Sequence, residues 1–191
     1  MMAMHAVGKA RLGYGKRVIL LGCGAMGQII LKLVRQHPVG QIVVVEPVAE
    51  KREAALRFGA DGVIDPNSQS GGIGYDAVIE ASGDRKSAAI TMNLVARGGS
   101  VVFFGLYGMD YNLELNLFTL YWKDATLSAV CVPSGQFPAA IAMAGTLGLL
   151  IGHGGPAEAG GGHFPRAVVF QGDRGIPRKI QRPRGQGHAA L

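Results

Sequence analysis

The residues best placed for chemistry are three glycines in one short run, Gly22-Cys23-Gly24-Ala25-Met26-Gly27. An apolar stretch, Arg17–Leu21, leads into the run, and a helical pattern leaves it. In that setting the first glycine permits a tight turn. The second lets phosphates approach the backbone, and the third lets helix and strand pack closely. The start of the helix adds unpaired N–H groups and the positive end of its dipole. Gly22, Gly24, Ala25, Met26 and Gly27 are therefore candidates to cradle a pyrophosphate. The competing reading is a glycine-rich turn with no ligand, and the surrounding elements decide between the two.

Glu46 is the next candidate. It closes a second apolar run, Gln41–Val45, 19 residues after Gly27. A carboxylate there can accept hydrogen bonds from the ribose hydroxyls of an adenosine and would repel a 2′-phosphate. The spacing favours NAD(H) over its phosphorylated relative. Lys51 lies five residues further on and is within reach of the same ribose, or is simply a charge on a helix surface.

These residues need a scaffold, and the hydrophobic pattern supplies one. Arg17–Leu21 and Gln41–Val45 read as strands buried on both faces. Between them, Met26, Ile29, Ile30, Leu33 and Val34 recur at helical spacing, and His37-Pro38 ends the helix. A second helix covers Ala49–Phe58 and stops at Gly59, and Gly62–Ile64 is a short third strand. Asp76–Glu80 is a fourth strand, Arg85–Ala96 a helix ended by Gly98-Gly99, and Ser100–Phe104 a fifth strand. Thr126–Val130 adds a sixth strand and Phe137–Ala144 a further helix. Alternation of strand and helix predicts an α/β fold with a doubly wound parallel sheet, the Rossmann type. One link is short: about ten residues join the third and fourth strands, so a loop must stand where a crossover helix is usual.

In an open parallel sheet, ligands bind beyond the carboxyl ends of the strands. Three further segments end strands in that way: Ala81-Ser82, Phe104-Gly105-Leu106 and Ala129-Val130-Cys131. They are candidates to line the nicotinamide half of the cleft.

Taken in order, these segments resemble the coenzyme domain of the medium-chain dehydrogenase/reductase superfamily, the zinc-type alcohol and polyol dehydrogenases. The matching pieces run from Gly15 to Gly27, then Val45-Glu46-Pro47 with Lys51-Arg52, and Phe58-Gly59-Ala60-Asp61. They continue through Tyr75 to Gly83 and Arg97 to Gly105. The sorbitol- and threonine-dehydrogenase-like branch is the nearest in pattern. The resemblance implies hydride transfer between an alcohol or polyol and NAD. It also implies a catalytic zinc in a separate domain, which this chain is expected to lack. None of its five histidines forms a ligand set with a cysteine, so no metal site and no catalytic residue is expected here. An alternative is a non-catalytic NAD-binding or scaffold module. Short-chain dehydrogenases are set aside because none of Tyr14, Tyr75, Tyr107, Tyr111 or Tyr121 has a lysine four residues later.

Composition bounds the rest. Residues 1–144 carry 13 Lys/Arg against 11 Asp/Glu, whereas residues 145–191 carry 6 against 2. The basic excess thus sits largely in the tail. Few aromatics accompany it, so nucleic acid is not an expected partner. From about Gly145 apolar periodicity is lost, and 12 of the 30 glycines fall there. We expect residues 1–144 to form the NAD-binding domain and 145–191 an irregular tail. Cys23 and Cys131 form no CxxC pair and read as free thiols of a cytoplasmic protein. No apolar run is long enough to span a bilayer. The strand near Thr126–Val130 is a candidate edge for a homodimer.

Overall fold

Valine, isoleucine and leucine fill the centre of the sheet because its strands are covered on both faces. The computed structural model describes residues 1–67, 72–131 and 139–140. By internal contact the chain divides into two units, Met1–Gly152 and His153–Leu191, and every described residue belongs to the first. The helix expected over 137–144 falls outside the described residues except at 139 and 140, as does the whole of 145–191.

Six strands form one sheet: β1 Arg17–Leu21, β2 Gln41–Val45, β3 Gly62–Ile64, β4 Tyr75–Glu80, β5 Val95–Phe103 and β6 Thr126–Ala129. Their order is β3-β2-β1-β4-β5-β6, and every pairing is parallel. Five helices accompany them among the described residues: α1 Met2–Lys9, α2 Ala25–Arg35, α3 Ala49–Arg57, α4 Arg85–Leu94 and α5 Leu117–Lys123. This is the doubly wound topology expected from the alternation, with its switch point between β1 and β4.

The chirality of parallel crossovers explains which face each helix covers. From β1 the chain winds outward to β2 and β3, and α2 and α3 lie on one face. Ile30, Leu31, Leu33 and Val34 of α2 and Ala55 of α3 pack there with Val18, Leu20, Ile42 and Val44. From β4 the chain winds the other way, and Met92 of α4 with Leu120 of α5 packs on the opposite face against Ile19, Val78 and Val101.

That arrangement leaves the α2 side of β4 and β5 without a helix of its own. α1 fills the space. Ala3, Ala6, Val7 and Ala10 are buried in one cluster with Ala77, Ile79 and Val102. The buried Ser100 hydroxyl donates to the carbonyl of Ala10 (2.7 Å), and Lys9 Nζ donates to that of Ala129 (2.8 Å). The sequence reading assigned no helix here, although the spacing of those four residues is helical.

In two further places the structure departs from expectation by more than a single residue at an element's end. α4 ends at Leu94 rather than running to residue 96, and Val95 is already extended and paired with Tyr75. The next pair is Ala77 with Ser100, so the segment holding Gly98-Gly99 is a bulge in β5 and not a helix stop. The second difference is α5, which lies just before the expected edge strand, in residues to which the sequence pattern assigns no helix. Asn116 caps it by accepting from Thr119 N–H at 3.0 Å. α3, by contrast, closes as expected. Gly59 takes φ +100°, its N–H reaches the Leu56 carbonyl, and Ala60 N–H reaches that of Ala55. The described residues between β3 and β4 contain no helix, in keeping with the short link.

Candidate dinucleotide site

The glycine run sits at the switch point, and each glycine meets a different constraint. Gly22 has φ +92°, and a Cβ there would lie 2.8 Å from Cα and Cβ of Ser82. A side chain on Gly27 would strike the carbonyl oxygen of Gly22. Gly24 is different: its φ is −66°, and a Cβ would meet nothing within 4 Å. The fold itself therefore requires Gly22 and Gly27. The space above Gly24 is open, so nothing in the described fold requires glycine there.

Gly24 is also the N-cap of α2, and no side chain caps that helix. Gln28 N–H is the first to find a helical acceptor, at Gly24 O. Among the described residues no acceptor faces the N–H groups of Ala25, Met26 and Gly27. α4 is closed instead by Asp84, which accepts from Ser87 N–H at 2.8 Å. An open helix end beneath a bare glycine suits an anionic group.

Two buried acids bracket this turn from the neighbouring strands. Glu46, after β2, is only 4% exposed. It accepts from Cys23 N–H at 2.7 Å and from Val48 N–H at 3.1 Å. Its carboxylate thus holds the glycine turn in place and keeps lone pairs for a further donor. Arg52 supports it by donating to the carbonyls of Glu46 and Pro47, both at 2.7 Å, while its other nitrogen pairs with Asp65 at 3.2 Å. Glu80, the last residue of β4, lies on the other side and is fully buried. Cys23 is buried beneath the turn, and burial together with the Glu46 carboxylate pushes its thiol up from 9.0 to about 11.

A cleft of about 610 Å³ opens over these strand ends. It brings together Gly22, Gly24, Glu46, Lys51, Ala81 and Ser82 of the expected residues. Ala25 and Met26 are exposed at the start of α2, and Gly27 is buried beneath it. Phe104, Gly105 and Leu106 do not line that cleft. They follow β5, one strand spacing beyond β4, and Leu106 is 94% exposed. Ala129 ends β6 at the sheet edge, about 10 Å beyond β4 by strand spacing, Val130 and Cys131 follow it, and Cys131 is exposed. Sequence reasoning missed Asn67, after β3, and Asp84, Lys86 and Ser87, at the start of α4, all of which line the cleft. The signal was available, because these too follow strand ends. Among the described residues no group of His, Cys, Asp or Glu could hold a metal ion, and no helix is long and apolar enough to cross a membrane.

Comparison with known proteins now decides the family. The profile described as zinc-binding dehydrogenase matches residues 25–146. This chain belongs to the zinc-binding dehydrogenase family. An NAD-dependent alcohol dehydrogenase of Sulfurisphaera tokodaii is 33% identical over 126 residues, which is 61% of this chain and 36% of that protein. An L-threonine 3-dehydrogenase of Caldanaerobacter subterraneus is 31% identical over 125 residues, again 61% of this chain and 36% of its own length. A protein of Sinorhizobium meliloti assigned as a zinc-binding dehydrogenase, solved bound to NADP, superposes with a TM-score of 0.73. It covers 76% of this chain and 46% of its own, and at 22% identity it speaks for the fold alone. The chain thus spans about a third of the length of these two curated relatives, and the part it matches is the dinucleotide-binding portion of the family.

Proposed function

We propose that this chain binds NAD(H) and serves as the cofactor half of an alcohol or polyol dehydrogenase. One observation carries the reading: α2 starts without a cap, beneath a glycine that nothing in the fold requires, and a buried acid ends the adjacent strand. The pyrophosphate would lie on the N–H groups of Ala25, Met26 and Gly27. The adenosine ribose would donate to Glu46, with Lys51 at the rim. When bound, the nicotinamide supplies the hydride acceptor of the reaction.

Glu46 favours NAD over NADP because a 2′-phosphate would face a buried carboxylate that has no cationic side chain bonded to it among the described residues. Lys51 and Lys86 at the cleft oppose that preference, but both are exposed and screened. Calorimetric titration of the whole chain with NADH and NADPH tests the reading. NADH should bind at least about tenfold more tightly, and Glu46→Gln should narrow the difference. Equal or tighter binding of NADPH would overturn the role of Glu46.

The remaining proposals follow the same reading. Residues 1–144 form the binding domain and 145–191 a separate tail. An alcohol or polyol substrate would be met together with a catalytic domain. β6 is an edge strand, and a second copy would pair there beside the exposed Leu117, Phe118, Tyr121 and Trp122 of α5. Free Cys23 and Cys131 fit a reducing cytoplasm.

A further inference from the structure

Glu80 is a buried carboxylate with no cation bonded to it among the described residues. It is fully buried, and it accepts from Ser82 N–H at 2.8 Å, Gly83 N–H at 3.1 Å, the Ser82 hydroxyl and the Tyr107 hydroxyl. Its own backbone carbonyl takes Phe104 N–H at 2.8 Å and Gly105 N–H at 3.0 Å. Burying a carboxylate is costly unless several donors face it, and among the described residues neutral donors fill that role. They come from two loops, the one after β4 and the one after β5.

The loops also touch directly. A side chain on Gly105 would strike the Glu80 carboxylate and Gly83 N, and one on Gly83 would lie 2.8 Å from the Leu106 carbonyl oxygen. Ser82, in turn, packs against Gly22 of the glycine turn. A continuous set of contacts therefore runs from Gly22 through Ser82 and Glu80 to Tyr107. Burial and the bond to Glu80 push the Tyr107 phenol far above its ordinary range, so it stays a donor at any working pH.

The strand order gives this clasp a direction. A dinucleotide with its adenosine ribose at the end of β2 and its pyrophosphate on Gly22–Gly27 must extend its other half over β4 and β5. Glu80 lies under that half. We propose that Glu80, through Tyr107, is a positioning group that locks the loops after β4 and β5 into one bed for the nicotinamide. This rests on the dinucleotide reading above.

Tyr107→Phe and Glu80→Gln, each in the whole chain, test it by calorimetry with two ligands, NADH and ADP-ribose. ADP-ribose carries the adenosine and pyrophosphate but no nicotinamide. Tyr107→Phe should weaken NADH about tenfold and leave ADP-ribose within about twofold. Glu80→Gln should show the same selectivity. If Glu80→Gln does not fold, Tyr107→Phe, which keeps the ring, decides alone. Equal losses for both ligands, or no loss for NADH, would overturn the clasp and leave dinucleotide binding intact. Failure of the wild-type chain to bind either ligand would overturn both.

Discussion

Glycines with identical side chains have unlike jobs in this turn, and substitution separates them. Gly22→Ala places a Cβ 2.8 Å from Ser82 in a backbone conformation at φ +92°. It should cost about 2–3 kcal/mol or more, read as a lower denaturation midpoint. Gly24→Ala meets nothing and should stay within about 1 kcal/mol of wild type, the usual loss of glycine as an N-cap. Its NADH affinity should nonetheless fall by about tenfold or more. If Gly24→Ala binds normally, the open space above that residue is not where phosphate sits. Cys23 yields a second residue-scale expectation. Folding favours its protonated form, because the thiol rises from 9.0 to about 11 in the fold. Its contribution is complete below about pH 9 and is lost as the pH climbs toward 11. Urea unfolding between pH 9 and 10 should show stability falling by up to about 1.4 kcal/mol per pH unit from this group. Cys23→Ala should remove that part of the slope, and an unchanged slope would exclude the thiol as its source.

At the scale of elements, legibility followed periodicity. Strands β1, β2 and β4 are buried on both faces; unbroken runs of Val, Ile and Leu announced the first two, and the apolar Ala-Val-Ile of β4 announced the third. α2 presented a wide apolar stripe, and Gly59 marked the end of α3. What failed was decided by tertiary contact. Ala96-Arg97-Gly98-Gly99 looks like the end of a helix, yet pairing of Val95 with Tyr75 draws the chain into the sheet first. α5 has no buried residue, so no stripe advertised it. Glu80 read only as the end of a strand, since Tyr107, the partner that ties it to the loop after β5, lies 27 residues away. Glu46 was legible as an acid at the right spacing, but its bond to Cys23 N–H was not. α1 is a case of signal passed over, for Ala3, Ala6, Val7 and Ala10 form a small-residue face pressed on the sheet. Ala6 is fully buried there. Ala6→Leu should therefore cost about 1–3 kcal/mol by overpacking, measurable by thermal or urea unfolding. A neutral result would mean that α1 docks loosely.

For the whole molecule, the sheet's two halves wind in opposite senses, and the site forms where they part. Glu46 and Glu80 stand on either side of that point. One belongs to the half that would hold the adenosine, the other to the half that would hold the nicotinamide. The two curated relatives named above extend well beyond the portion matched here, so the present surface is that of a part. The exposed apolar side chains of α5, together with Leu106 and Met109, belong to that surface.

The place of α1 also orders events in time. Its final residues are held by Ser100 and Ala129, 90 and 120 positions further along the chain. During synthesis those partners leave the ribosome long after α1 itself, and a loop of that length must close before the contact forms. α1, which precedes the other described helices in the chain, is thus among the last of them to be seated. Until then the flank of β4 and β5 that it covers stays open to water and to other nascent chains.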